Sequence, residues 1–152
     1  MNLTLLEPVI EDDPYRWLIA LGNCVVGVHA KSGWCLRLGG DVLPLDPEST
    51  FVPLGPLLEL PVNEFHQFLQ RAAVGNPSFS QQILRFPINT LLKHIFHTSY
   101  SSYWPEKALA WLATEPAAWT EFQQELLILS KNKVMPQKTR QKAHKMLRSK
   151  MT

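Results

Sequence analysis

His94 and His97 stand three residues apart in a helix-like stretch, so both imidazoles can share one helix face. Two nitrogens are a start on a metal site, but zinc takes three or four ligands. No Cys pair, HExxH motif or acidic third ligand accompanies them at a useful spacing. Ile95 and Phe96, between them, point to packing or a surface role. No metal and no cofactor is expected.

Cys24, His29 and Cys35 contain the ingredients of a thiol nucleophile and its base. Within one strand, five residues separate Cys24 from His29, which sends them to opposite faces. Cys35 can approach His29 across a hairpin, a neighbour relationship that strands make without any chemistry. A turn at Lys31–Gly33 would set Cys24 near Asp41 and Cys35 near Ala30 or Val28. That register holds the sulfurs beyond the ~7 Å Cα separation that a disulfide tolerates. Two reduced thiols are expected, in keeping with a cytoplasmic protein. Serine offers no nucleophile motif: GxSxG is absent, and Ser99, Ser101 and Ser102 form a polar turn. Gly39-Gly40 precedes a short strand and not a helix N-terminus, so it does not cradle phosphate.

Acid–base work needs two carboxylates held across a cleft. Glu11, Asp12 and Asp13 are consecutive and read as a solvated acidic turn closed by Pro14. Asp41, Asp46 and Glu48 fall in turn positions, where short acids bond their own backbone. These six residues suit a surface that meets a basic protein partner better than they suit catalysis. No catalytic residue is assigned.

Charge is strongly segregated. Residues 131–152 hold eight Lys/Arg and no Asp or Glu, whereas residues 1–130 hold seven Lys/Arg and thirteen Asp/Glu. From Pro136 onward the tail reads as a helix with Lys138, Gln141, Lys142, Lys145 and Arg148 on a broad cationic face. Thr139, Ala143, Met146, Leu147 and Met151 form a weak apolar stripe opposite. Lys138, Arg140, Lys142, Lys145 and Arg148 are therefore candidates for gripping nucleic-acid phosphates. The same face can be plainly solvated, or bonded to the acidic body. No frame for reading bases is legible, and without Trp or Phe the stripe lacks the bulk for a membrane.

The elements that must carry these residues follow from turns and periodicity. Tyr15–Leu21, Cys24–His29 and Trp34–Leu38 read as strands, each bounded by a turn signal, and Val42–Leu45 adds a short fourth. Short turns imply an antiparallel meander of three to four strands. Residues 44–61 hold five prolines and read as an extended, proline-stiffened connection. After Pro61 the period becomes helical. Helices are expected from Val62, from Ser78 or Ser80 to Arg85, from Ile88 to about His97, after Ser101 or Ser102, after a Thr114 cap, and from Pro136. Tyr100, Tyr103, Trp104, Trp111 and Trp119 cluster along this part. The tryptophans read as core between helices and the tyrosines as exposed.

The fold class is α+β: an N-terminal antiparallel meander, then an antiparallel helical bundle or short array. Residues 1–152 read as one domain, with a β-rich subregion at 1–60 and a helical one at 61–152. MNLTLLEPVIEDDP lacks the basic start and unbroken apolar run of a signal peptide, and no stretch nears membrane-spanning length. The function expected first is non-catalytic protein binding in a bacterial cytoplasm. Its most concrete form is an immunity-type inhibitor that neutralises a basic toxin domain by occluding its active surface. Nucleic-acid binding through the C-terminal helix is the alternative, and an enzyme with a dispersed pocket a further one.

Overall fold

The structure, a computed structural model, describes residues 3–46 and 48–149, with the side chains of Glu48 and Ser49 outside the described set. Five strands form one antiparallel sheet in chain order: β1 (Leu3–Asp12), β2 (Tyr15–Leu21), β3 (Cys24–His29), β4 (Gly33–Leu38) and β5 (Asp41–Pro44). Among the described residues six α-helices follow: α1 (Val62–Gly75), α2 (Ser80–Leu84), α3 (Ile88–Thr98), α4 (Tyr103–Ala113), α5 (Gln123–Lys131) and α6 (Gln137–Ser149). This is an α+β fold, a strand meander followed by a helical array. Among the described residues no helix is long and apolar enough to cross a membrane.

The chain divides into two compact units, residues 1–88 and 89–152. Charge divides with them. The first holds five Lys/Arg against nine Asp/Glu, and the second ten against four, giving −4 and +6.

In the first unit the hairpins close where glycine permits positive φ: Gly22 at 58° between β2 and β3, and Gly39 at 62° between β4 and β5. The sheet has one more strand than the turn signals imply. Leu3–Asp12 pairs with β2 through an irregular register, shifting between Leu5 and Ile10 on either side of Pro8. A second correction concerns residues 44–61. Within them Glu48–Glu59 is not extended but forms a 3-10 helix with Pro53 and Pro56 inside it. Proline's fixed φ lies within the 3-10 range, so proline stiffens a 3-10 segment as readily as an extended one. Phe51, Leu54, Leu57 and Leu58 of this segment are buried, and it packs against β2.

Helix α1 buries Phe65, Phe68, Leu69, Ala72 and Ala73, the three–four spacing of a single apolar face. It packs on β1, and α2 packs on β3 and β4. Gln82 Nε2 donates to the Ala30 carbonyl at 2.6 Å, pinning α2 to the β3–β4 turn. Edge-on ring contacts of Phe86 with Trp34 (4.8 Å) and with Phe65 (5.1 Å) complete this core. Arg71 of α1 pairs with Glu7 of β1 at 2.9 Å, and that hydrogen bond holds the Glu7 carboxyl below its ordinary value.

In the second unit α6 packs against α5 and α4. The expected Thr114 cap is not formed. Thr114 instead ends α4, its hydroxyl bonding the Trp111 carbonyl at 2.7 Å. A 3-10 turn over Pro116–Phe122 intervenes before α5 begins at Gln123. Trp111 is core, whereas Trp119 is half-buried with its indole N–H on the Leu112 carbonyl at 2.7 Å. Tyr100 is fully exposed and Tyr103 about half so (48%).

Candidate binding surfaces

The register of the sheet decides what its polar residues can do. His29 pairs with Gly33 and Gly27 with Cys35, so the β3–β4 turn is Ala30–Ser32 and Gly33 already belongs to β4. Cys24 faces Leu38 and Cys35 faces Gly27, in place of Asp41 and Ala30 or Val28. Both cysteines are buried and unbridged. Burial pushes the Cys35 thiol up to about 11 and raises Cys24 as well, which holds both sulfurs as neutral thiols at physiological pH. His29 Nδ1 accepts the backbone N–H groups of Lys31 (3.0 Å) and Ser32 (3.2 Å), so its ring staples the turn.

Glu11 and Asp12 are the last residues of β1, and Asp13 opens the turn to β2. The turn is less open than the sequence implies. Arg16 Nη1 donates to Asp13 Oδ1 at 2.6 Å. Asp12 Oδ2 accepts the Trp17 indole N–H at 3.1 Å and stands 3.5 Å from Arg37 Nη1. The Arg37 guanidinium also lies over the Trp17 ring, 4.6 Å from its centroid. Two of the three acids are thus engaged within the fold, leaving Glu11 exposed.

Asp41 lies at the far end of the ladder. The row Asp12–Tyr15–His29–Gly33 marks one end of the sheet, and the row Leu21–Cys24–Leu38–Asp41 the other. Asp12 and Asp41 therefore occupy opposite end rows of the ladder. Asp41 opens β5, an edge strand exposed along its whole length, and Asp46 follows it two residues past Pro44. Between them Val42 and Leu43 are about 40% exposed (39% and 41%), as is Leu38 opposite Asp41 (41%). Among the described residues neither Asp41 nor Asp46 has a cation within 4 Å. Asp46 borders a cavity of about 500 Å³ shared with Lys31, Trp34, Gln81 and Arg85. The Glu48 side chain lies outside the described residues.

In the second unit α6 buries Thr139, Ala143 and Met146, the stripe expected from the sequence. Met151 lies outside the described residues. The cations split between two flanks. Arg140, Lys145 and Arg148 line a groove of about 820 Å³ together with His144, Gln137 and Gln141. Lys138 and Lys142 border a smaller cavity of about 270 Å³ beside Glu106 of α4. The Glu106 carboxylate accepts the Thr139 hydroxyl at 3.0 Å, fixing α6 to α4. His144 is a groove residue that charge counting overlooked, because a histidine adds nothing to the formal charge.

His94 is buried in α3, while His97 Nε2 meets Glu125 Oε2 of α5 at 2.8 Å. Among the described residues no three of His, Cys, Asp or Glu gather as a metal would require. Comparison with protein families, curated proteins and solved structures finds no match for this chain.

Proposed function

We propose that the protein is a non-catalytic binding protein that engages a basic protein partner through the β5 edge, most concretely as an immunity-type inhibitor. One observation carries this reading: the exposed edge strand has an acid at its start, an acid just past its end and apolar side chains between them. Apolar contact supplies affinity, and the flanking carboxylates steer a cationic surface and set its register. The strand has four residues and ends in Pro44, which lacks an N–H. Such an edge resists indiscriminate strand pairing, so recognition falls to the side chains. The turn acids contribute through Glu11, because Asp12 and Asp13 are held by Arg37 and Arg16.

The test is capture of the partner from the native host with the wild-type chain, then assay of the captured protein's own activity. The reading expects a basic protein whose activity is lost on binding. Asp41→Lys with Asp46→Lys should release the inhibition, and Lys138→Glu with Lys142→Glu should leave it intact. An acidic partner, or inhibition indifferent to the first pair, would refute it.

A further inference from the structure

We propose that the groove face of α6 is a binding site for the phosphate backbone of duplex nucleic acid. The inference is independent of the protein-partner reading and uses the other compact unit. Arg140, Lys145 and Arg148 line the groove and span about 12 Å of helix axis, at ~1.5 Å per residue. A duplex strand passes three to four phosphates over that rise, at about 3.4 Å each. Among the described residues none of these three cations has a carboxylate within 4 Å. Arg140 is oriented from behind: its Nε donates to the Met135 carbonyl at 3.2 Å, leaving its terminal nitrogens to a ligand. Gln137, Gln141 and His144 add uncharged hydrogen-bonding groups in the same groove.

Two alternatives fit this face less well. An anionic membrane is gripped by helices that also insert an apolar face. In α6 that face is already spent, with Thr139, Ala143 and Met146 buried against the protein. Single strands are held largely by stacking on aromatic rings. Among the described lining residues there is no Phe, Tyr or Trp. What remains is a sequence-independent grip on a regular line of phosphates.

The experiment titrates the full chain into a labelled 20-base-pair DNA duplex across a salt series. Parallel titrations use a single strand of the same length and vesicles of phosphatidylcholine with phosphatidylserine. Three contacts predict a slope of log K against log salt of about −2.7. Lys145→Gln with Arg148→Gln should bring it to about −0.9 while the melting temperature is retained. The neutral replacements avoid placing acids at a helix C-terminus, where the helix dipole would disfavour them. Salt-insensitive or undetectable duplex binding would overturn the proposal. So would an unchanged slope in the folded double variant, tighter binding to the single strand, or binding to the vesicles alone.

Discussion

Arg37 of β4 stands 3.5 Å from Asp12 of β1, although the two strands are three places apart in the sheet. The sheet therefore curls enough to bring these positions together, and the Trp17 ring lies under the guanidinium that closes the gap. An acid that the sequence offers to a partner is thereby committed to the fold.

The pair is partly exposed, with side-chain exposures of 38% and 53%, so its contribution is that of a surface ion pair plus ring cover. Arg37→Ala is expected to lower unfolding free energy by about 1 kcal/mol. It should also shift tryptophan emission to the red as Trp17 gains water. Denaturant melts followed by fluorescence read both. An unshifted emission would contradict the place given to Arg37 over the ring.

Gly27 faces Trp17 across the β2–β3 ladder with no room for a side chain. A Cβ there would lie 2.2 Å from the Arg16 carbonyl oxygen and 2.8 Å from both Trp17 Cα and Cε3. Because the obstacles include backbone, relief requires the strands to part. Gly27→Ala is expected to destabilise by about 1–3 kcal/mol, the usual range for overpacking. Gly40→Ala, with open space at its Cβ, serves as the comparison. Equal midpoints for the two variants would contradict the close approach.

Phe51 sits at 0% exposure in the 3-10 segment that the prolines disguised. Phe51→Ala should cost about 3–5 kcal/mol, the range for emptying a core aromatic site. An extended surface connection would yield a near-neutral change, so thermal or urea unfolding distinguishes the two descriptions.

The raised thiols make a prediction with a definite sign. Between the ordinary cysteine value of 9.0 and the folded value of about 11, the native state holds the Cys35 proton that the unfolded state has lost. Stability is therefore full below pH 9 and falls as pH rises toward 11. Cys35→Ala should flatten that alkaline limb in melts recorded from pH 8 to 11. At neutral pH both thiols should react slowly with a thiol reagent in the native protein, and both promptly after unfolding.

Much of the fold is legible because local signals agree with one another. Strands β2 to β4 announce themselves by turn residues and alternation, and α1, α3 and α6 by apolar spacing of three and four. Strand β1 does not, because Pro8 and the acids interrupt its alternation, and its partner register shifts beside that interruption. The β3–β4 register is displaced because Gly33, at φ 85°, begins a strand where its residue type suggests the end of a loop. The proline-rich segment is ambiguous in principle, since one φ value serves two conformations. The cationic helix is legible from composition, and its buried stripe from periodicity. Its division into a groove around Arg140 and a flank beside Glu106 depends on where α4 and α5 lie, which no local signal encodes. The engagement of Asp12 by Arg37 is hidden for the same reason: it follows from the curl of the sheet.

The most direct test of the protein-partner account is the association rate of the captured partner with wild-type and Asp41→Lys/Asp46→Lys protein, measured across ionic strength. Steering by those two carboxylates predicts that the folded variant associates at least about tenfold more slowly at low salt. The two rates should converge as salt rises toward 1 M, where the screening length falls to about 3 Å. Equal association rates at low salt would contradict the account.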